Sequence, residues 1–166
     1  MKTQQKLFIA LGAVALAGTL LWWFQPWLLI VDSKVSESAP VSISSPSAAS
    51  STELLAGSFI SHEHQTTGTA RIIELADGSR VLRLEDFETS NGPDLEVWLS
   101  DAAVVEGQAG WFLADDGDYV SLGKLKGNKG DQNYVIPSDL DLSRFSSISI
   151  WCVRFSVSFG AAELTE

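Results

Sequence analysis

The chain has 166 residues, with 21 acidic against 11 basic side chains, a net charge of −10, six tryptophans and a single cysteine. That acidity argues against nucleic acid or an anionic lipid surface as a partner. One cysteine allows no internal disulfide framework and no cysteine-ligated iron–sulfur cluster.

Residues 1–6 carry Lys2 and Lys6, and from Leu7 to Val31 there is no charged residue. A run of about 20 apolar residues spans the hydrocarbon core of a bilayer, so residues 7–31 are expected to form a transmembrane helix. Trp22, Trp23 and Trp27 gather near its far end with Pro26, as aromatic rings do at a membrane interface. Two lysines before the segment and Asp32 after it predict a single-pass protein with a cytoplasmic N-terminus and an extracytoplasmic remainder. Ala15-Leu16-Ala17 also has the small-x-small pattern of a cleaved secretory signal, and either reading exports the remainder of the chain.

Residues 32–53 are rich in serine and poor in large apolar side chains. They are expected to be a flexible tether, because such a stretch buries too little surface to fold. Residues 54–166 form the expected folded domain. In it, Ala70–Leu75 and Arg80–Glu85 flank Asp77-Gly78, a hairpin pattern. Asn91-Gly92-Pro93-Asp94 predicts a sharp turn, followed at once by a strand, Leu95–Ser100, with Leu95, Val97 and Leu99 on one face. Further strands are expected over Tyr119–Leu122, Tyr134–Ile136 and Ser149–Phe159. Short strands with turns between them, and no helical period inside the domain, predict an all-β, antiparallel sandwich or barrel-like fold.

If Ser149–Phe159 is one continuous strand, Trp151, Val153, Phe155, Val157 and Phe159 face the core and Cys152 and Arg154 share the other side. Arg154 would then favour the thiolate, the nucleophilic and metal-binding form of cysteine. The plain alternative is that Cys152 is a small buried hydrophobe. His62 and His64, the only histidines, would face one side of an extended segment, as metal ligands do. With Cys152 they make the equatorial set of a copper site, but the only methionine is Met1, so the usual weak axial sulfur is missing. A thiolate or histidine on a non-covalent haem stays open as a cofactor arrangement, whereas motifs for covalent haem, a nucleotide-binding glycine loop, an EF-hand and a serine nucleophile elbow are absent.

Gly57-Ser58-Phe59, His64 with Gly68-Thr69-Ala70, Leu82–Phe87, Asn91–Leu95, Leu122–Gly127, Gly130–Tyr134 and Ile150–Phe155 together resemble the DM-thirteen domain family, in order across nearly the whole domain. The resemblance implies a small extracytoplasmic β-rich domain serving electron transfer, whose characteristic cysteine is a bare thiol or a ligand to a group such as haem. By position that cysteine is Cys152. Two functions are expected in consequence. One is a membrane-tethered redox module centred on Cys152, with Arg154 tuning it, His64 as a second ligand or proton partner, and an envelope redox protein as its partner. The other is a non-catalytic binding or structural domain at the cell surface.

Overall fold

The computed structural model describes residues 2–25, 31–40 and 51–166. Its only long helix among these is α1, Lys2–Phe24. Within residues 3–24 an 18-residue window has a mean hydropathy of 2.1 and none of that window is buried, so the helix is long and apolar enough to cross a membrane or to act as a secretion signal. Trp27 and Pro26, expected at the exit of the anchor, lie outside the described residues.

Among the described residues, nine strands form one sheet: β1 Lys34–Ser36, β2 Thr52–Ser61, β3 Thr67–Glu74, β4 Arg80–Glu88, β5 Leu95–Ser100, β6 Tyr119–Lys124, β7 Lys129–Ile136, β8 Ser147–Cys152 and β9 Val157–Glu163. Their order is β1-β7-β4-β3-β2-β9-β8-β5-β6, and the sheet curls into a half-barrel. All pairings are antiparallel except β1 with β7. The mostly β, barrel-like architecture expected from the strand periods is what the chain adopts. Strand β2 joins the two flanks, pairing with β3 over Thr52–Ser58 and with β9 over Phe59–Ser61.

The alternation of each strand sets the inner face. Ala70 and Ile72 of β3, Leu82 and Leu84 of β4, Val97 and Leu99 of β5, and Ile148 and Ile150 of β8 fill the concave core with Phe59, Phe87 and Phe159. A second, smaller cluster lies on the outer face, where Trp98 and Trp151 pack with Ala114. Residues 101–118 cover that face, tied down by Ser100 Oγ to the Ala114 carbonyl (3.0 Å), Ser147 Oγ to the Ala102 carbonyl (2.9 Å) and Ser158 N–H to the Trp111 carbonyl (2.8 Å).

Two expectations are corrected. The stretch read as a tether over 32–53 is not wholly one: Lys34–Ser36 adds a parallel edge strand to β7, and β2 begins at Thr52. The short segment is held by polar contacts rather than by burial. Asn128 accepts from Ser33 N–H (2.7 Å) and donates to Asp32 (2.9 Å), while Lys126 pairs with Glu37 (2.7 Å). Gly130, at φ +95°, permits the approach, since a Cβ there would sit 2.0 Å from the Val35 carbonyl oxygen. Residues 41–50 of the expected tether lie outside the described residues. The second correction concerns the cysteine strand, which is two strands, β8 and β9, joined by a tight turn over residues 153–156 with Ser156 at φ 49°.

Candidate functional site

Because the chain reverses after Cys152, the faces inferred for one long strand do not hold. Cys152 continues the inward series of Ile148 and Ile150 and joins the main core with no exposed surface, while Trp151 points outward onto Trp98. Cys152 pairs with Leu95 of β5 and Val157 of β9. Burial pushes the thiol above its ordinary pKa and outweighs the backbone N–H groups of Phe155, Arg154 and Asp94, which favour the thiolate. A neutral, enclosed thiol is therefore the resting state.

Arg154 lies in the turn, and its side chain leaves the cysteine altogether. Nη1 donates to the Trp23 carbonyl at 2.5 Å and the guanidinium stands 5.4 Å over the Trp23 ring. Only the Arg154 backbone reaches the thiol. The turn is fastened by Phe155 N–H to the Cys152 carbonyl (3.2 Å) and Val153 N–H to the Asp94 carbonyl (2.9 Å). Val153 and Phe155, read as core residues, are 39% and 43% exposed.

The expected turn 91–94 lies alongside. Asn91 donates its amide to the Val31 carbonyl, Asp94 pairs with Lys124, and Gly92 lies so near the Phe159 ring that a Cβ would come within 2.8 Å of it. Between this turn, the cysteine turn and the end of β2 is a groove of about 360 Å³, walled mainly by Phe24, Trp111, Phe112, Phe155 and Phe159, with His64 as its titratable nitrogen base.

His62 and His64 part company because residues 62–64 bend instead of running extended, so the two-residue alternation is lost. The bend is pinned to β9: the N–H groups of His62 and His64 donate to the Phe159 carbonyl (3.0 and 3.4 Å), and that of Glu63 to the Ser158 carbonyl (3.2 Å). Buried Thr66 secures it, its hydroxyl bonding the Phe159 carbonyl (3.0 Å) and Thr89 (2.9 Å). His64 stacks on Phe159 with ring centroids 3.9 Å apart and its Nε2 faces the Glu63 carboxylate. His62 turns under the 101–118 loop, where Nδ1 bonds Ser158 Oγ at 2.9 Å and Ser149 Oγ donates to the same hydroxyl at 3.0 Å. Burial holds both imidazoles below their ordinary pKa of 6.5, against Val105 for His62 and Glu63 for His64. Both are neutral at pH 7. Ser158 is itself buried, so the pair is structural rather than an accessible serine–histidine nucleophile.

No three His, Cys, Asp or Glu side chains come together in a metal-holding group among the described residues. Haem iron on Cys152 does not fit either, since the sulfur is closed in by the core and forms no part of the groove wall. The sequence reading missed Trp111, Phe112, Phe159 and Thr66 as site residues. The adjacent aromatic pair Trp111-Phe112 in an otherwise small and acidic loop is a signal that could have found the first two. Phe159 and Thr66 carry no such mark.

A family model described as electron transfer DM13 matches residues 58–164. That span takes in the groove residues from His64 to Phe159 and Cys152 itself. No curated protein and no solved structure matches the chain.

Proposed function

This chain belongs to the electron-transfer DM13 family, and from that premise we propose that it is a membrane-anchored redox module of the cell envelope whose working group is the Cys152 thiol. Helix α1 anchors it, with its end bearing Lys2 and Lys6 in the cytoplasm and the β domain outside. The observation that carries the reading is the setting of the only cysteine, which sits at the end of β8 under a four-residue turn whose exposed side chains border an aromatic groove.

A lone cysteine cannot close an internal disulfide. Its chemistry is therefore exchange with an envelope partner protein: the Cys152 thiolate attacks a partner disulfide, an S–S bond forms to Cys152, and the partner's other sulfur leaves as thiolate. The 153–156 turn must open for this. Once it opens, the sulfur gains water and loses the burial that holds the thiol neutral, so opening both exposes and activates the thiol.

The test is voltammetry and thiol labelling of the full chain in lipid nanodiscs beside Cys152→Ser. A redox wave and slow labelling in the native state, both lost in the variant, support the reading. A thiol inert until denaturation and no wave in either protein would overturn it and leave a non-catalytic surface domain.

A further inference from the structure

The groove has a composition that selects its ligand. Its walls are aromatic rings from four separate segments: Phe24 of α1, Trp111 and Phe112 of the covering loop, Phe155 of the turn and Phe159 of β9. Phe24 stacks on Phe155 at 6.1 Å and 17°, so the groove adjoins the end of the helix that is long and apolar enough to cross a bilayer. Phe112 and Phe155 are 50% and 43% exposed on an otherwise acidic domain. Exposed apolar patches of that kind mark contact with a ligand, a membrane or a partner. Among the described residues no lysine or arginine lines the groove, whereas Glu63 does, which disfavours phosphate, carboxylate or nucleotide ligands.

The polar atoms narrow the choice further. Neutral His64 presents Nε2–H to the Glu63 carboxylate, and this tautomer leaves Nδ1 as a hydrogen-bond acceptor. Among the described residues, the Trp111 indole N–H is buried with no hydrogen-bond partner, and such a donor gains by meeting an acceptor. A flat ring carrying a hydroxyl at each end has the complementary chemistry, one hydroxyl donating to an imidazole acceptor and the other accepting from an indole N–H.

We propose that this groove binds the ring of a lipid-soluble quinol, entering from the bilayer beside α1 with its apolar tail left in the lipid. The inference rests on the electron-transfer reading and names the class of its small-molecule carrier. A volume of about 360 Å³ lies within the roughly 300–1,000 Å³ of small-molecule sites.

The experiment uses the full chain in phosphatidylcholine vesicles, titrated anaerobically with a benzoquinol bearing a ten-carbon tail and read by tryptophan fluorescence. Wild type should show saturable quenching. Phe112→Ala, at an exposed position that leaves the fold intact, should weaken binding at least tenfold, and His64→Phe should do the same while abolishing the loss of binding seen as the pH falls below 6.5. Quenching that rises linearly with quinol per lipid, alike in wild type and Phe112→Ala, would overturn the site. Cys152→Ser is run in parallel: binding retained there with no thiol redox wave in wild type removes only the thiol reading, and a thiol wave without saturable binding removes only the quinol site.

Discussion

The two flanks of the sheet treat their outer faces in opposite ways. On the β1-β7-β4-β3 side, the outer face carries a charged network. Arg83, only 5% exposed, pairs with Glu85 at 2.8 Å and Asp131 at 2.9 Å, bonds Asn133 at 3.0 Å, and caps the Glu37 and Ser38 carbonyls at 3.2 Å. On the β9-β8-β5-β6 side, Trp98 and Trp151 pack outward with small serines under the 101–118 loop, with Tyr119 stacked on Trp98 and Glu96 paired to Lys124 at the edge. The first flank is finished by ion pairs and water, the second by a second apolar layer. Strands β8 and β9 thus carry packed matter on both faces, which leaves their connecting turn and its aromatic border as the place where the second flank meets solvent.

The comparison is broken most strongly at its outer core. Trp151→Ala should lower stability by about 3–5 kcal/mol, as for large aromatic truncations in cores, while Val135→Ala on the outer face of β7, which is 75% exposed, should stay within about 0.5 kcal/mol. Equal losses in urea denaturation would abolish the distinction.

Next in size is Arg83→Met. It should cost about 2–3 kcal/mol, below the ~3–5 kcal/mol of a fully buried broken pair, because its carboxylate partners are a third exposed. Hydrogen exchange should show protection lost over residues 34–36 and kept over β8. Protection unchanged at 34–36 would mean that Arg83 does not hold the edge strand.

Cys152→Ser should destabilise by about 1–3 kcal/mol through a buried hydroxyl without a partner, and Cys152→Ala by less. Labelling of the native thiol should stay slow until the pH passes the ordinary cysteine value of 9.0, since the folded state holds the thiol above it. Fast labelling at neutral pH would show an open turn.

The smallest effect is a pH dependence that separates the flanks. His62 and His64 have folded pKa values below 6.5, so the unfolded chain binds protons first and stability falls as the pH drops from about 6.5 through the folded values. Lys126 holds Glu37 below its ordinary 4.5, so its contribution is lost only on further acidification, as the pH falls from 4.5 through the folded value. His64→Gln should shrink the fall in the higher window, leaving the His62 share and the lower window in place, measured by urea midpoints against pH. A flat profile between pH 7 and 5 in wild type would contradict the burial of both imidazoles.

Much of the fold was legible in local pattern. The Asp77-Gly78 hairpin pairs Ile73 with Val81 and Arg71 with Arg83, and β5 runs over the residues expected, Leu95–Ser100. The turn after Cys152 was not legible, because Val153 and Phe155 extend the strand's apolar alternation and disguise a reversal. Phe155 stacks on Phe24 and Val153 is partly exposed, a surface setting that a two-residue period cannot register. Strand β1 was hidden for a related reason. Three residues have little local preference, and their parallel partner, Lys129–Asp131, lies more than ninety positions away.

By itself, the sequence determined an apolar helix of membrane-crossing length, a mostly β domain, the inward residues of β5 and the identity of the one thiol. Those properties are set by composition and short-range alternation, which every residue carries with it. Only the tertiary structure decided that Cys152 faces the core, that Arg154 turns to α1, that His62 and His64 separate, and that His64, Trp111, Phe155 and Phe159 share a groove. The physical reason is that these outcomes depend on where the chain reverses and which distant surface a loop covers, and long-range packing settles such choices against the local period.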